Sequence, residues 1–247
     1  RYNNFFPSGF ASYKANDDLS FQAGYSKRIF RPRLWDLNPF FNIRNNFNIR
    51  TGNPDLQPEF TDSFEITSIY RLGRVSMNFG IFYRHTTEVV ERVVAFENNI
   101  SISRPENIGS NNTIGVEFNA KYTPTNWLSF TNDFNFNQFA RDGDFEGTSF
   151  DFTGQQWSTR LMSKIKLPAD IDLEFIGNYE SGFRTLQQEI TEVIFMDFGA
   201  RKKILKGKAI LNLSIRDVFA SRIRESQTIQ PDFYIRNFSQ QGRFVTF

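Results

Sequence analysis

Apolar and polar side chains alternate along this chain in stretches of about ten residues, the length of strand that crosses a bilayer at a tilt. From Arg74 to Arg84, Val75, Met77, Phe79, Ile81 and Tyr83 share one face, while Arg74, Ser76, Asn78, Gly80 and Arg84 share the other. In the next segment Ile114, Val116, Phe118, Ala120 and Tyr122 oppose Gly115, Glu117, Asn119 and Lys121. Farther on, Ile171, Leu173, Phe175 and Tyr179 oppose Asp172, Glu174, Asn178 and Glu180, with Ile176 as the interruption. A helix would scatter these charges around its circumference; period two belongs to a strand. The same rule predicts strands from Ser8 to Lys14, Leu19 to Arg28, Phe60 to Arg71, Trp127 to Phe139 and Trp157 to Leu167. Others run from Val193 to Lys202 and from Lys208 to Val218, and a last one begins near Gly242, which makes about eleven in all.

The connections alternate in length. Short ones fall at Ala15 to Asp18, Leu72-Gly73, Pro124 to Asn126, Pro168 to Asp170 and Ile204 to Gly207, all rich in turn-forming residues. Between them lie long ones: Ile29 to Glu59, Thr87 to Asn111, Ala140 to Gln155, Gly182 to Glu192 and Phe219 to Gln241. This is the layout of an antiparallel transmembrane β-barrel, all-β, in which short turns face the periplasm and long loops face outward. The first strand therefore descends from outside. After an odd number of strands the chain ends at the periplasmic side. Bacterial barrels close with an even number, so residues 1–247 are expected to be a piece of a larger barrel, with an odd number of strands missing upstream.

Composition changes this picture little. The mean hydropathy of −0.45 excludes helical spans. Thirty Phe, with 17% aromatic residues overall, suit barrels girdled by aromatics at both membrane surfaces. A soluble sandwich with a Phe-rich core is the alternative, but its strands are usually shorter. A net charge of +2, with basic residues dispersed, excludes a nucleic-acid stripe. Cysteine is absent, so disulfides and thiolate chemistry are absent with it.

Catalytic signatures are not found. His85 is the sole histidine, and a strand-end surface position is its default. Asp142, Asp144 and Glu146 make an incomplete calcium-loop pattern. No enzyme activity, cofactor or metal is expected. Twelve charged residues fall on the polar phase: Glu65, Arg71, Arg84, Glu117, Lys121, Asp133, Arg160, Lys164, Glu174, Asp197, Arg201 and Arg216. Most of them line a wet lumen by default. Positions near the outer strand ends are the better ligand-binding candidates: Arg84, His85, Asp133, Asn135, Asn137, Asn178, Glu180 and Arg216. The first long loop adds Arg31, Arg33, Trp35, Phe40 and Phe41. Its prolines at 32, 39, 54 and 58 stiffen it. Its aromatics are expected to pack a small core of the loop's own, the alternative being display as a ligand gate or partner platform.

Specific motifs add a family. Tyr25-Ser26-Lys27-Arg28-Ile29-Phe30-Arg31-Pro32, then Leu37-Asn38-Pro39-Phe40, then Thr51-Gly52-Asn53-Pro54-Asp55-Leu56-Gln57-Pro58-Glu59, occur in order. Ser103-Arg104-Pro105-Glu106-Asn107-Ile108-Gly109, Gly115-Val116-Glu117-Phe118 and Asp217-Val218-Phe219 follow. The ordered set resembles the outer-membrane β-barrel family of Bacteroidota, in which such a barrel forms the C-terminal part of TonB-dependent receptor-like proteins. The resemblance implies a barrel of about 22 strands around an N-terminal plug, with plug and first barrel half outside this chain. It also implies continuation beyond Phe247. The implied activity is energised import of a scarce or bulky ligand. Outer-membrane lipid, the imported ligand, an inner-membrane energising complex acting through the missing N-terminal region, and a surface lipoprotein are the implied partners. A barrel that serves instead as a structural or assembly partner of a surface or secretion complex is the alternative.

Overall fold

In the computed structural model, which describes residues 4–40, 42–45, 47–97, 100–145, 148–185, 187–230 and 233–247, the regular structure is almost all strand. Strands β1 (Ser8–Lys14) and β2 (Leu19–Phe30) lead to a single helical turn α1 (Leu34–Leu37) and a hairpin of β3 (Asn42–Asn45) and β4 (Asn48–Arg50). The pair β5 (Glu59–Leu72) and β6 (Val75–Thr87) precedes a second hairpin, β7 (Val90–Glu97) and β8 (Ile100–Asn107). Four long strands follow: β9 (Ser110–Thr125), β10 (Leu128–Phe145), β11 (Thr148–Leu167) and β12 (Ile171–Glu180). A small hairpin, β13 (Phe183–Arg184) and β14 (Gln188–Ile190), separates them from β15 (Val193–Ile204) and β16 (Ala209–Arg216). A last hairpin, β17 (Ile223–Gln230) and β18 (Phe233–Gln240), comes before β19 (Phe244–Thr246).

Eleven of these strands form one antiparallel meander in the order β1-β2-β5-β6-β9-β10-β11-β12-β15-β16-β19. β1 and β19 are its two free edges. Every short turn lies at one end of the sheet and every long connection at the other, as the alternation of loop lengths predicts. The turns follow from local chemistry: Asn16 Oδ1 accepts the N–H groups of Asp18 and Leu19 at 2.9 and 2.8 Å, which closes the first one.

Register carries the sequence phase across the sheet. Phe79 is level with Phe118 and Ser68, Ile81 with Val116 and Ile66, and Asn78 with Asn119 and Ile69. The apolar phase is therefore kept from strand to strand, with Ser68 on the apolar face and Ile69 on the polar one as exceptions. It bears clustered aromatics, Tyr25 on Phe64 on Tyr83 and Phe134 on Trp157 on Tyr179, toward the long-loop end. Tyr70, Tyr122 and Trp127 mark the short-turn end. Two such bands are the aromatic girdles of a membrane-spanning wall.

The long connections are structured. Residues 140–155, expected to be a loop, instead continue β10 and β11 in unbroken register as far as Phe145 and Thr148. Arg141, Asp142 and Asp144 resemble turn residues, yet their main-chain groups are satisfied by the ladder, so water-facing charge does not end the strands. Above the wall, β3-β4-β8-β7 and β13-β14-β17-β18 form two separate four-stranded sheets.

Candidate functional site

The polar face of the wall is concave. A hollow of about 390 Å³ opens across β9 to β12. Two register rows cross its floor: Asn119, Asp133, Arg160, Asn178, and, one step up, Glu117, Asn135, Ser158, Glu180. Asn135 donates to Glu117 at 3.3 Å, Asn137 donates to Asn135 at 3.4 Å, and Arg84 lies 3.9 Å from Glu117. The predicted Arg84, Asp133, Asn135 and Asn178 thus belong to one hydrogen-bonding surface. Two apolar side chains interrupt it in a way that alternation did not foretell. Phe82 is buried against Gly115, its register partner, and Phe139 against Gly154, so the glycines make room for rings on the polar side.

His85 does not join this surface. One residue from Arg84, it points to the opposite face, where it forms a row with Lys27, Asp62 and Asn112 just beyond the girdle. Its Nδ1 is 2.8 Å from Asn112 Oδ1. Lys27 pairs with Asp62 at 3.4 Å. This row sits at headgroup height, outside the lumen. Arg216, at the end of β16, is on the predicted inner face but two strands from β12, and does not line the hollow.

The first loop also departs from expectation. Trp35 and Phe40 are 78% and 80% exposed, and Arg31 and Arg33 are exposed beside them. Phe41 lies outside the described residues. The buried apolar side chains above the wall are instead Leu56, Val89, Val93 and Ile108. Order in the loop comes from polar clamps. Gly52 donates to Asn38 O at 2.8 Å, and a Cβ there would stand 2.5 Å from that oxygen. Asn53 N–H donates to Asp36 O at 2.7 Å, and its side-chain amide donates to Glu106 at 2.7 Å. Asn107 accepts from Gln57 N–H and donates to Gln57 O and Glu88 O. The motif of residues 51–59 is therefore locked onto that of residues 103–109. At Gly109, whose φ is +72°, a Cβ would overlap the Asp142 carbonyl.

A second cavity, about 690 Å³, lies between the two upper sheets. One wall comes from Arg50, Arg92, Val94 and Ser103, and the other from Gln188, Ser226, Thr228 and Asn237. Individual residues gave no sign of it, although Ile100-Ser101-Ile102-Ser103 alternates as a strand does.

Ionic contacts tie this vestibule to the wall below. Arg141 pairs with Glu91, and Arg224 with Glu180. Arg92 pairs with Asp36 at 3.4 Å. Glu59 accepts the Val90 N–H at 2.7 Å. Glu59 and Arg141 stand beyond the outer girdle, more than ten residues along their strands from the short turns, which exceeds the roughly 25 Å apolar band at the usual tilt. Burial raises the Glu59 carboxyl above its ordinary range, opposed by the Val90 hydrogen bond and by Arg141; burial also works against the Arg141 charge. Near the last strands, buried Asp217 accepts the N–H groups of Ser221 and Arg222 at 2.9 and 3.0 Å, which turns the chain from β16 into the β17-β18 excursion.

Such surfaces can bind by hydrogen bonding and charge. Among the described residues, no group of three or more His, Cys, Asp or Glu side chains is placed to hold a metal ion. A sheet with one apolar, aromatic-girdled face and one polar concave face is the wall of a transmembrane β-barrel. The chain belongs to the outer membrane protein beta-barrel family, whose model matches residues 1–247, and it is a protein of the outer membrane. No functionally curated protein matches it. Its fold is similar to that of the siderophore receptor PirA from Pseudomonas aeruginosa: TM-score 0.66, 13% identity, covering 89% of this chain and 39% of that one. It is also similar to a mutant of the ferric enterobactin receptor PfeA from Pseudomonas aeruginosa in complex with enterobactin, at TM-score 0.61 and 15% identity, over 88% of this chain and 35% of that one. The FrpB iron transporter from Neisseria meningitidis aligns over 98% of this chain and 37% of its own, at TM-score 0.57 and 18% identity. The chain therefore spans less than two-fifths of the length of these structures.

Proposed function

We propose that this chain is the C-terminal part of the barrel of an energised outer-membrane importer, with an N-terminal plug and the first barrel half preceding it. The carrying observation is the open eleven-stranded wall with a polar concave face beneath an ordered vestibule, an arrangement that lines a route from outside toward the lumen. The fold likeness to receptors whose names cite siderophores and iron supports this reading. Ligand enters at the vestibule and passes to the row of Asn119, Asp133, Arg160 and Asn178. An inner-membrane complex supplies the work through the upstream region. Exposed Leu34, Trp35 and Phe40 on the first loop suit contact with a surface lipoprotein or with the remainder of the barrel.

The parent polypeptide in purified outer membranes tests the reading. A product several times the 28.9 kDa of this chain, with a plug-like domain upstream, is expected, as is solute uptake that stops when the proton-motive force is collapsed. A mature product of this size, or uptake indifferent to the gradient, would overturn it.

A further inference from the structure

We propose that the vestibule recognises an extended peptide by adding it as a strand to the free edge of β7; this rests on the importer reading and names its substrate class. The orientation of β8 fixes that edge. Ser103 O accepts from Thr51 N–H, so Ser103 directs its main-chain groups toward β4. Ser103 is level with Val94, and in an antiparallel pair the residue opposite such a position also turns its N–H and C=O away from its partner strand. Val90, Arg92 and Val94 therefore present main-chain groups outward from the sheet. Pro105, which has no N–H, is level with Arg92 and agrees with this phase.

Two of the three edge positions are already met by side chains that imitate a peptide. Glu59 takes the Val90 N–H at 2.7 Å. Gln187 engages Val94 at two points, its Oε1 accepting the N–H at 2.9 Å and its Nε2 donating to the carbonyl at 3.3 Å. That is the bonding of one residue of a neighbouring strand, supplied by a side-chain amide. Gln187 comes from the tip of the β13-β14 hairpin, whose ends are closed by Thr185 N–H donating to Gln188 O at 2.8 Å. Arg92 remains between the two caps and lines the cavity together with Val94. The described residues that line it are polar or aliphatic, and Ser226, Thr228 and Asn237 offer polar groups to the far side of a peptide. A peptide of a few residues would displace Gln187 and run along β7.

The full-length protein in detergent micelles is the material, and an equimolar mixture of linear hexapeptides, with its backbone N-methylated counterpart, is the probe. N-methylation removes strand-type donors, so the methylated mixture should bind at least ten-fold more weakly. Gln187→Ala, which removes the competitor, should tighten binding several-fold. Val94→Pro, which removes an edge donor without touching the β8 ladder, should weaken it about ten-fold. Bound peptide should also slow amide exchange at Arg92. Heat-modifiable gel mobility confirms that both variants form barrels. Equal binding of the two mixtures, or no peptide binding while another solute is imported under energisation, would overturn the peptide proposal alone. Peptide binding without energised uptake would uphold it and remove the importer reading instead.

Discussion

Phe79→Arg should impair insertion into bilayers by about 3 kcal/mol, while Asn78→Arg, one residue away, should cost less than 1 kcal/mol. Phe79 is midway between Val75, at the short turn, and Tyr83, in the outer girdle. Four residues to either side, at about 3.3 Å each and a tilt near 40°, place it about 10 Å from each boundary, at the centre of the apolar band. Its register neighbours Phe118 and Ser68 offer no carboxylate for a guanidinium to meet, and 43% of its surface is uncovered by the chain. An arginine there meets the full midplane penalty of about 2–4 kcal/mol. Asn78 faces the lumen beside Asn119, where water solvates the new charge. Folding of the full-length protein from urea into lipid vesicles, followed by intrinsic fluorescence and by the fraction running as folded barrel, gives both costs. Equal damage from the two variants would refute the facing assignment of the whole sheet, because register propagates one phase through every strand.

Three further outcomes follow from particular contacts. Phe82→Ala should cost about 3 kcal/mol and Gly115→Ala should also destabilise, yet the double variant should recover part of the sum, since removing the ring relieves the methyl's contact with it and leaves the approach to the Phe136 carbonyl oxygen at 2.6 Å; additive urea-unfolding costs would argue against this packing. The raised Glu59 carboxyl stabilises the joint below the ordinary glutamate value of about 4.5, and that contribution fades as pH rises through the higher folded value; protection of the Val90 amide, corrected for intrinsic exchange, should therefore fall toward neutral pH, and Glu59→Gln should flatten the profile. Cysteines at Asp55 and Asn126, both exposed, should label differently with an impermeant maleimide on intact cells: Asp55→Cys reacts and Asn126→Cys does not, whereas the reverse would invert the orientation.

What was legible in the sequence was whatever depends on parity. Ile171–Glu180 and Ser8–Lys14 are strands with the predicted bounds because period-two alternation and flanking turn residues both mark them. Asp133 and Asn178 reach one surface because register preserves phase between neighbouring strands. Parity also explains why His85 falls on the opposite face from Arg84: a shift of one residue exchanges lumen for membrane surface. The vestibule was not legible, because it depends on hairpins that meet only in three dimensions. Gln187 and Val94 are 93 residues apart, and nothing local to either announces the other. The extension of β10 and β11 was hidden because Asp142, Gly143 and Asp144 read as turn formers wherever burial is not there to favour a strand.

Three of the motifs that carried the family resemblance, at residues 37–40, 51–59 and 103–109, share a mechanical role. Gly52 and Asn53 clamp to Asn38, Asp36 and Glu106, Asn107 clamps Gln57, and Gly109 admits the Asp142 carbonyl of β10. Each joins an upper element to another or to the wall, and each relies on a main-chain group that a larger or differently shaped side chain would displace. A barrel wall tolerates exchange among apolar residues that face lipid, since lipid conforms to them; a clamp built on main-chain approach does not. The joint is consequently where residue identity is most constrained, and the position of the β7 edge relative to the lumen is set there. Gly52→Ala should separate the two levels: the wall should keep its urea stability, while exchange protection of β7 and β8 should fall by about 1–3 kcal/mol as the loop gives way to the new methyl. Loss of wall stability to the same extent would mean that vestibule and barrel fold as one unit.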